Sequence, residues 1–225
     1  MASINQLISE IAHSVQQADS IPVRRAIRLG IIHARNELIR QSYSNNHLLD
    51  KSLQQRFKCT LIDCPDSDLE GIDKIRDIIK IKRSKQRVPK PTRLCNGLPF
   101  HSVRTAGVEH PIEVAFTKEA VSQFYGYLPG MPCLPTYDYI NGYLYINGSR
   151  NQEYNNLRAV IIEGVFEYPF EITEEHFDGN TTYNDDDEFI ISEDMIGSIK
   201  KLVLETFNPQ IVRQTNEIPN PNLVK

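Results

Sequence analysis

The sequence predicts an α+β protein, and three observations support this fold class. Residues 1–56 carry two apolar patterns at helical spacing, residues 57–191 carry short apolar stretches separated by prolines and glycines, and residues 192–208 carry a third helical pattern. Residues 209–225 contain prolines and isolated apolar side chains, which predict an extended docking arm. The predicted order is a helical hairpin, an antiparallel β-rich region with long loops and a hairpin, an amphipathic helix packed on the helical region, and the arm.

Two helices are predicted at the N-terminus. Ser3 is the expected N-cap of the first helix, and Gln6 completes a capping-box pattern with it. Ser20 and Pro22 mark the start of a second helix of about five turns, which ends near residues 42–47. Its other side carries three arginines, which favour a solvated face and are also candidates for a subunit interface: Arg24, Arg28 and Arg35.

The middle region favours strands at residues 57–65, 73–84, 111–116, 136–147 and 157–169. Within residues 73–84 the isoleucine spacing also fits a helical turn. Prolines predict an exposed, extended loop at residues 87–100, because proline cannot donate to a central strand. Thr117 is the expected cap of a short helix at residues 117–127, and Gly164 is the expected site of a β-bulge.

A hairpin is predicted by "TYDYINGYLYINGS" at residues 136–149, because the first Asn-Gly pair suits a type I′ turn. That turn fixes the register of the two strands. The expected pairs are Ile140 with Tyr143, Tyr139 with Leu144, Asp138 with Tyr145, and Tyr137 with Ile146. One face, with Tyr137 and Tyr139, should pack inward. On the other face Tyr143 and Tyr145 are candidates for a subunit interface, where rings with polar tips are common.

Motifs of common enzymes are absent from the sequence. No Gly-x-Ser-x-Gly elbow, phosphate-binding glycine loop or His-Glu-x-x-His pattern occurs. The cysteines at 59, 64, 95 and 133 lack the spacing of paired zinc ligands, so we expect buried free thiols. The acidic residues 185–188 lack the alternating ligands of an EF-hand and predict a solvated loop. We therefore expect no enzyme activity, no metal and no cofactor.

Charge is unevenly distributed along the chain, although the net charge is only −4. Residues 74–93 are strongly basic, whereas no Lys or Arg occurs between Arg158 and Lys200. This polarity suits self-association between a basic and an acidic surface, and two solvated surfaces that never meet are an equally open interpretation. A DNA-binding accessory protein is the alternative function, with these candidates for phosphate contact: Lys80, Lys82, Arg83, Lys85, Arg87 and Lys90.

No apolar run in the sequence is long enough to span a bilayer, and the N-terminal residues lack the basic start and apolar core of a signal peptide. We therefore expect a soluble chain that is not secreted and has no membrane partner.

Three segments resemble the ring or head-to-tail connector proteins of crAss-like bacteriophages. These segments are "YDYINGYLYINGS", "LRAVIIEGVFEYP" and "DEFIISEDMIGSIKKLVLETF", in that order behind an N-terminal helical hairpin. The resemblance covers roughly Ser3 to Phe207, and it extends more distantly to the tail adaptor proteins of short-tailed phages. It carries no catalytic residues over to this chain.

The resemblance implies a virion structural protein that is made in the host cytoplasm. Usually twelve copies form a ring below the portal protein, extend the DNA channel with transient, non-specific contact to the genomic duplex, and support the next ring or tail protein. The helical hairpin would correspond to intersubunit packing. The arm at residues 209–225 would dock on the portal or on a neighbouring subunit, with these apolar residues: Ile211, Val212, Ile218, Leu223 and Val224.

Overall fold

The computed structural model describes residues 2–48, 50–65, 81–94, 97–106, 111–117, 135–147, 156–172 and 184–216. The chain divides into two compact units, a helical unit of residues 1–53 and 183–225 and a sheet unit of residues 54–182. Within the described residues the fold is α+β, as predicted, with three α-helices and seven strands.

The helical unit contains α1 (Ile4–Ser14), α2 (Ile21–Asn46) and α3 (Glu193–Asn216). Both α1 and α3 pack on α2, and α1 also contacts α3. Burial of the apolar stripe of each helix provides the main stabilisation, since helix propensity alone is weak in water. The fully or almost fully buried members of these stripes are Ile4, Leu7, Ile11, Ile27, Ile31, Ile39, Ile199 and Val203.

The ends of α1 and α2 follow the predicted signals with two differences. Ser3 Oγ accepts a hydrogen bond from the backbone N–H of Gln6 at 3.2 Å, but the Gln6 side chain donates to Glu10 instead of returning to Ser3. The 26 residues of α2 make about seven turns, which is longer than predicted. It ends at His47, whose φ of 53° places this residue in the left-handed conformation typical of a helix end.

The C-terminal helix differs most from its prediction. The backbone of α3 remains helical through Pro209 to Asn216, so the helix end predicted at residue 208 is wrong, and the predicted arm is helical at its start. A proline removes one backbone hydrogen bond and crowds the preceding turn, a local cost that does not prevent the flanking turns from being helical. Ile211 and Val212 therefore belong to α3, and residues 217–225 lie outside the described residues.

The sheet unit contains seven strands. They are β1 (Gln55–Asp63), β2 (Ile81–Ser84), β3 (Ser102–Thr105), β4 (Ala115–Phe116), β5 (Thr136–Ile140), β6 (Tyr143–Asn147) and β7 (Ala159–Gly164). Their order in the sheet is β3-β7-β1-β2-β6-β5-β4. All neighbours are antiparallel except β4 and β5, which corrects the prediction of a purely antiparallel region.

The two edges of this sheet meet. Residues 112–114, which lead directly into β4, bond to β3 through Val114 N–H to Val103 O at 2.8 Å and Thr105 N–H to Ile112 O at 3.0 Å. The sheet therefore closes on itself through these residues, which pairs backbone groups that would otherwise be exposed at an edge. Its inner side chains form one core with aromatic contacts such as Phe57 to Phe166, whose ring centres are 5.5 Å apart.

The proline-rich loop is only partly exposed, because exposed residues such as Arg87 and Lys90 alternate with buried ones. Val88 is 3% exposed, Thr92 2% and Phe100 2%. Residues next to the prolines hold the loop in place, since Val88 N–H donates to Gly142 O and Thr92 N–H donates to Val165 O, both at 2.8 Å. Proline interrupts a ladder without preventing its neighbours from bonding, so proline spacing alone misjudges burial.

Three further predictions concern a bulge, a strand and a short helix of the sheet unit. Gly164 continues the regular register of β7, opposite Gln55, so the predicted bulge is wrong. The strand predicted at residues 73–84 is present at its end as β2, whereas residues 66–80 lie outside the described residues. The predicted helix after Thr117 also lies outside them, apart from Thr117 itself.

Candidate functional site

The hairpin of β5 and β6 has the register that its Asn-Gly turn predicts. Ile140 lies opposite Tyr143, and the pairing continues without interruption to Thr136 and Asn147. Asn141 and Gly142 have φ values of 53° and 84°, as a type I′ turn requires. The turn chemistry therefore determines which side chains share a face.

The inner face of the hairpin is core. Tyr137, Leu144 and Ile146 are each at most 3% exposed, and the half-buried Tyr139 donates its hydroxyl to Val88 O at 3.3 Å. Burial is the main cause that raises the pKa of Tyr137 and of Tyr139 above the usual phenol value. Both rings therefore serve as neutral packing groups.

The outer face of the hairpin meets the basic segment of β2. The guanidinium of Arg83 lies 4.4 Å from the centre of the Tyr143 ring, and that of Arg87 lies 5.9 Å from the same ring. Arg83 is also the register partner of Tyr145 in the pairing of β2 with β6. Arg87 and Lys85 are exposed, and the two tyrosines are partly exposed.

The structure thus unites two sets of residues that the sequence suggested separately, the interface tyrosines and the basic residues. We call this surface the basic–aromatic face and define it as Arg83, Lys85, Arg87, Tyr143 and Tyr145. Sequence reasoning missed the pairing because a β2–β6 neighbourhood is a long-range contact with no local signal.

Not all of the predicted basic residues lie on this face. Lys82 is only 9% exposed, and its Nζ donates to Leu157 O at 2.7 Å. Successive strand residues alternate between the two faces of a sheet, so Lys82 and Ser84 point inward while Arg83 points outward. The prediction that Lys82 contacts phosphate is therefore wrong. Lys90 pairs with Glu167 at 2.8 Å, and Lys80 lies outside the described residues.

The arginines of α2 have partners within the helical unit. Arg28 makes two hydrogen bonds of 2.7 Å to the carboxylate of Asp185, and Arg24 donates to Ser9 Oγ at 3.1 Å. Arg35 is 0% exposed and donates through Nε to Ile190 O at 2.8 Å. The interpretation of a solvated arginine face is therefore wrong for Arg35, because the chain before α3 covers this side of α2.

The acidic residues before α3 are exposed but ordered by backbone and side-chain contacts. Asn5 N–H donates to Asp185 O at 3.3 Å, and Asn5 Nδ2 donates to Asp186 Oδ1 at 2.8 Å. We call the exposed carboxylates here the acidic surface and define it as Asp186, Asp187, Glu188, Glu193 and Asp194. Within the described part of the chain, none of these five forms a salt bridge.

Groups that could support chemistry are few among the described residues. No cluster of three or more histidine, cysteine or acidic residues there could hold a metal ion. Cys59 and Cys64 are buried free thiols, as predicted, while Cys95 and Cys133 lie outside the described residues. Burial raises the pKa of the Cys59 thiol to about 12, which disfavours the reactive thiolate.

None of the helices in the described residues combines the length and the apolar character that a membrane crossing requires.

Comparison with known proteins agrees with the resemblance seen in the sequence. No curated protein matches the chain. The family model for phage tail ring protein 2, a ring protein of crAss-like phages, matches residues 6–222 and so covers both units and the basic–aromatic face. The chain therefore belongs to the phage tail ring protein 2 family and is a structural ring protein of the phage tail.

Proposed function

We propose that twelve copies of this chain form a ring at the portal vertex that connects head to tail and extends the DNA channel. The observation that carries the proposal is the family match over residues 6–222. In this role the chain is structural rather than catalytic and needs no cofactor. Its partners are its own copies, the portal protein, the next ring or tail protein and, transiently, the genomic duplex.

Subunit contacts in such a ring need exposed side chains with apolar area. The outer hairpin face offers Tyr143, Tyr145 and Ile140, of which Ile140 is 41% exposed. In the helical unit, α2 exposes Ile21 (64%) and Leu29 (52%) close to Arg24 and Arg28. These two surfaces are our candidates for the interface. Arg35 supports the fold of the helical unit and is no longer a candidate, because it is fully buried.

The C-terminal residues are our candidates for docking on the portal or on a neighbouring subunit. Residues 209–216 continue α3, so the part that would dock as an extended arm is shorter than the sequence predicts. The apolar residues that would carry this contact are Ile211, Val212, Ile218, Leu223 and Val224.

Electron cryomicroscopy of purified virions tests the proposal. We expect a twelvefold ring directly below the portal whose density fits the closed sheet of this chain. Antibody labelling of the same particles should mark one vertex. Uniform labelling of the capsid would contradict the proposed position, and a ring elsewhere in the tail would contradict the contact with the portal.

A DNA-binding accessory role is the second candidate, because Arg83, Lys85 and Arg87 form a cationic surface. Filter binding of duplex DNA across a salt series tests it, since phosphate contacts release counterions and make affinity steeply salt-dependent. We expect weak binding, because only three of the six predicted phosphate-facing residues lie on this surface. Tight binding that disappears in the variant Lys85→Glu/Arg87→Glu would favour this second role.

A further inference from the structure

We propose that the basic–aromatic face of one copy binds the acidic surface of a neighbouring copy. This inference rests on the proposed ring function and identifies the contact that would close the ring. Its basis is charge complementarity between two exposed surfaces, each built from described residues.

The side chains of the basic–aromatic face are preorganised for an anionic partner. Tyr143 holds two guanidinium groups over or beside its ring, at 4.4 and 5.9 Å, which limits the freedom of both arginines. Lys85 lies between them in sequence and is exposed. A face whose side chains are already ordered loses less conformational entropy when a partner binds.

The acidic surface has the opposite character. Its five carboxylates are exposed and form no salt bridge within the described part of the chain. Asp186 is positioned by the Asn5 side chain, and Asp187 accepts the backbone N–H of Asn184 at 2.8 Å. Glu193 and Asp194 lie in the first turn of α3 and are exposed. These carboxylates can therefore meet cations without breaking an existing ion pair in this region.

The sign of the two surfaces also limits which surfaces of two copies can meet. Contact between two basic–aromatic faces would place like charges together, and so would contact between two acidic surfaces. Only the contact of one surface with the other is attractive, and such a head-to-tail contact generates a closed ring when the rotation between copies is suitable. A two-fold dimer through either surface is disfavoured.

Charge reversal in phage particles tests this contact. The basic-reversed variant is Lys85→Glu/Arg87→Glu, and the acidic-reversed variant is Asp186→Lys/Glu188→Lys/Glu193→Lys. These changes bring the basic–aromatic face from +3 to −1 and the acidic surface from −5 to +1. All five side chains are exposed, and circular dichroism checks that both variants fold. Each variant is expressed in host cells in place of the wild-type chain. We expect at least a tenfold loss of its incorporation into particles, measured by quantitative mass spectrometry.

Co-expression of the two variants is the decisive arm. In an alternating ring every contact is again between opposite charges, so we expect incorporation to return to within about twofold of wild type. The combined variant, which carries all five substitutions and so has both surfaces reversed, should also assemble. Arg56→Glu/Arg158→Glu is the matched control, because these arginines are exposed and lie outside the basic–aromatic face. It should behave as wild type.

Three results would overturn the proposal. Normal incorporation of both reversed variants would contradict this contact without contradicting the proposed ring function. Normal assembly of the combined variant without rescue by co-expression would assign the charge pairing to a single copy. If the basic-reversed variant also loses duplex DNA binding, and co-expression does not restore its incorporation into particles, the basic–aromatic face would be assigned to DNA binding. A wild-type particle without a ring of this chain would instead contradict the proposed function.

Discussion

Arg83 and Tyr143 are in contact, with the guanidinium 4.4 Å from the ring centre, although they lie on different strands and far apart in the sequence. The contact exists because β2 pairs with β6 and places Arg83 opposite Tyr145. At a partly exposed site a cation–π contact contributes about 0.5–1 kcal/mol. This modest value means that the pair orders the surface more than it stabilises the fold.

The variant Tyr143→Ala/Tyr145→Ala should weaken assembly while the monomer stays folded. Both rings lie on the outer face of the hairpin, so we expect a loss of about 1–2 kcal/mol in the free energy of unfolding. Urea denaturation measures the stability, and incorporation into particles measures assembly.

Tyr137→Ala is the control for this pair, because Tyr137 is 3% exposed and belongs to the core. We expect it to lose about 3–5 kcal/mol, as other large aromatic truncations in cores do. If the outer double variant were as unstable as Tyr137→Ala, both outer rings would belong to the core.

Gly142→Val should destabilise the sheet unit. The φ of Gly142 is 84°, a conformation that a β-branched residue adopts only with strain of about 1–2 kcal/mol. Thermal unfolding should show a lower Tm. Asn141→Gly keeps a residue that tolerates positive φ and should change the Tm little. An unchanged Tm for Gly142→Val would mean that the hairpin does not depend on this turn.

Arg35→Ala should destabilise the helical unit far more than Arg28→Ala. Arg35 is 0% exposed and bonds to Ile190 O, so its loss leaves a cavity and removes a buried hydrogen bond, at a cost of about 2–4 kcal/mol. The ion pair of Arg28 with Asp185 is 38% and 33% exposed, and such pairs contribute about 0–1 kcal/mol. Chemical denaturation of both variants checks the order, and equal losses would contradict the buried position of Arg35.

Acid should remove a stabilising contact between α1 and α3. The hydrogen bond from Lys200, at 2.5 Å, is the main cause that holds the pKa of Glu10 below its usual 4.5. A carboxyl group with a lowered pKa in the folded state stabilises the protein above the unfolded value, and this contribution disappears as the pH falls through the folded value.

Wild type should therefore be more stable than Glu10→Gln at pH 7, and the difference should be smaller at pH 3. Urea denaturation at both pH values measures it. Lys200→Met should show the same pattern, because it removes the other partner. A difference that is equally large at pH 3 and pH 7 would assign the effect to packing instead of charge.

Local patterns in the sequence were sufficient to predict several elements. Ser3 and the stripe behind it predicted α1, and the first Asn-Gly pair predicted the turn, the register and the two faces of the hairpin. In each case the determining interactions lie within a few residues, so the physical cause is visible in a short window. The three quoted segments were also sufficient to indicate the ring protein family.

Only the tertiary structure decided the composition of the surfaces. The pairing of β2 with β6 brought Arg83 and Arg87 to Tyr143, turned Lys82 inward, and left Lys85 exposed. The residues before α3 covered Arg35, and the backbone hydrogen bonds of Val88 and Thr92 accompany their burial beside the prolines of the loop. These outcomes depend on which distant segments become neighbours. The charge of a residue and the hydrophobic periodicity around it do not specify which distant segment packs on that residue. The burial of Arg35 and Lys82 therefore could not be predicted from the sequence alone.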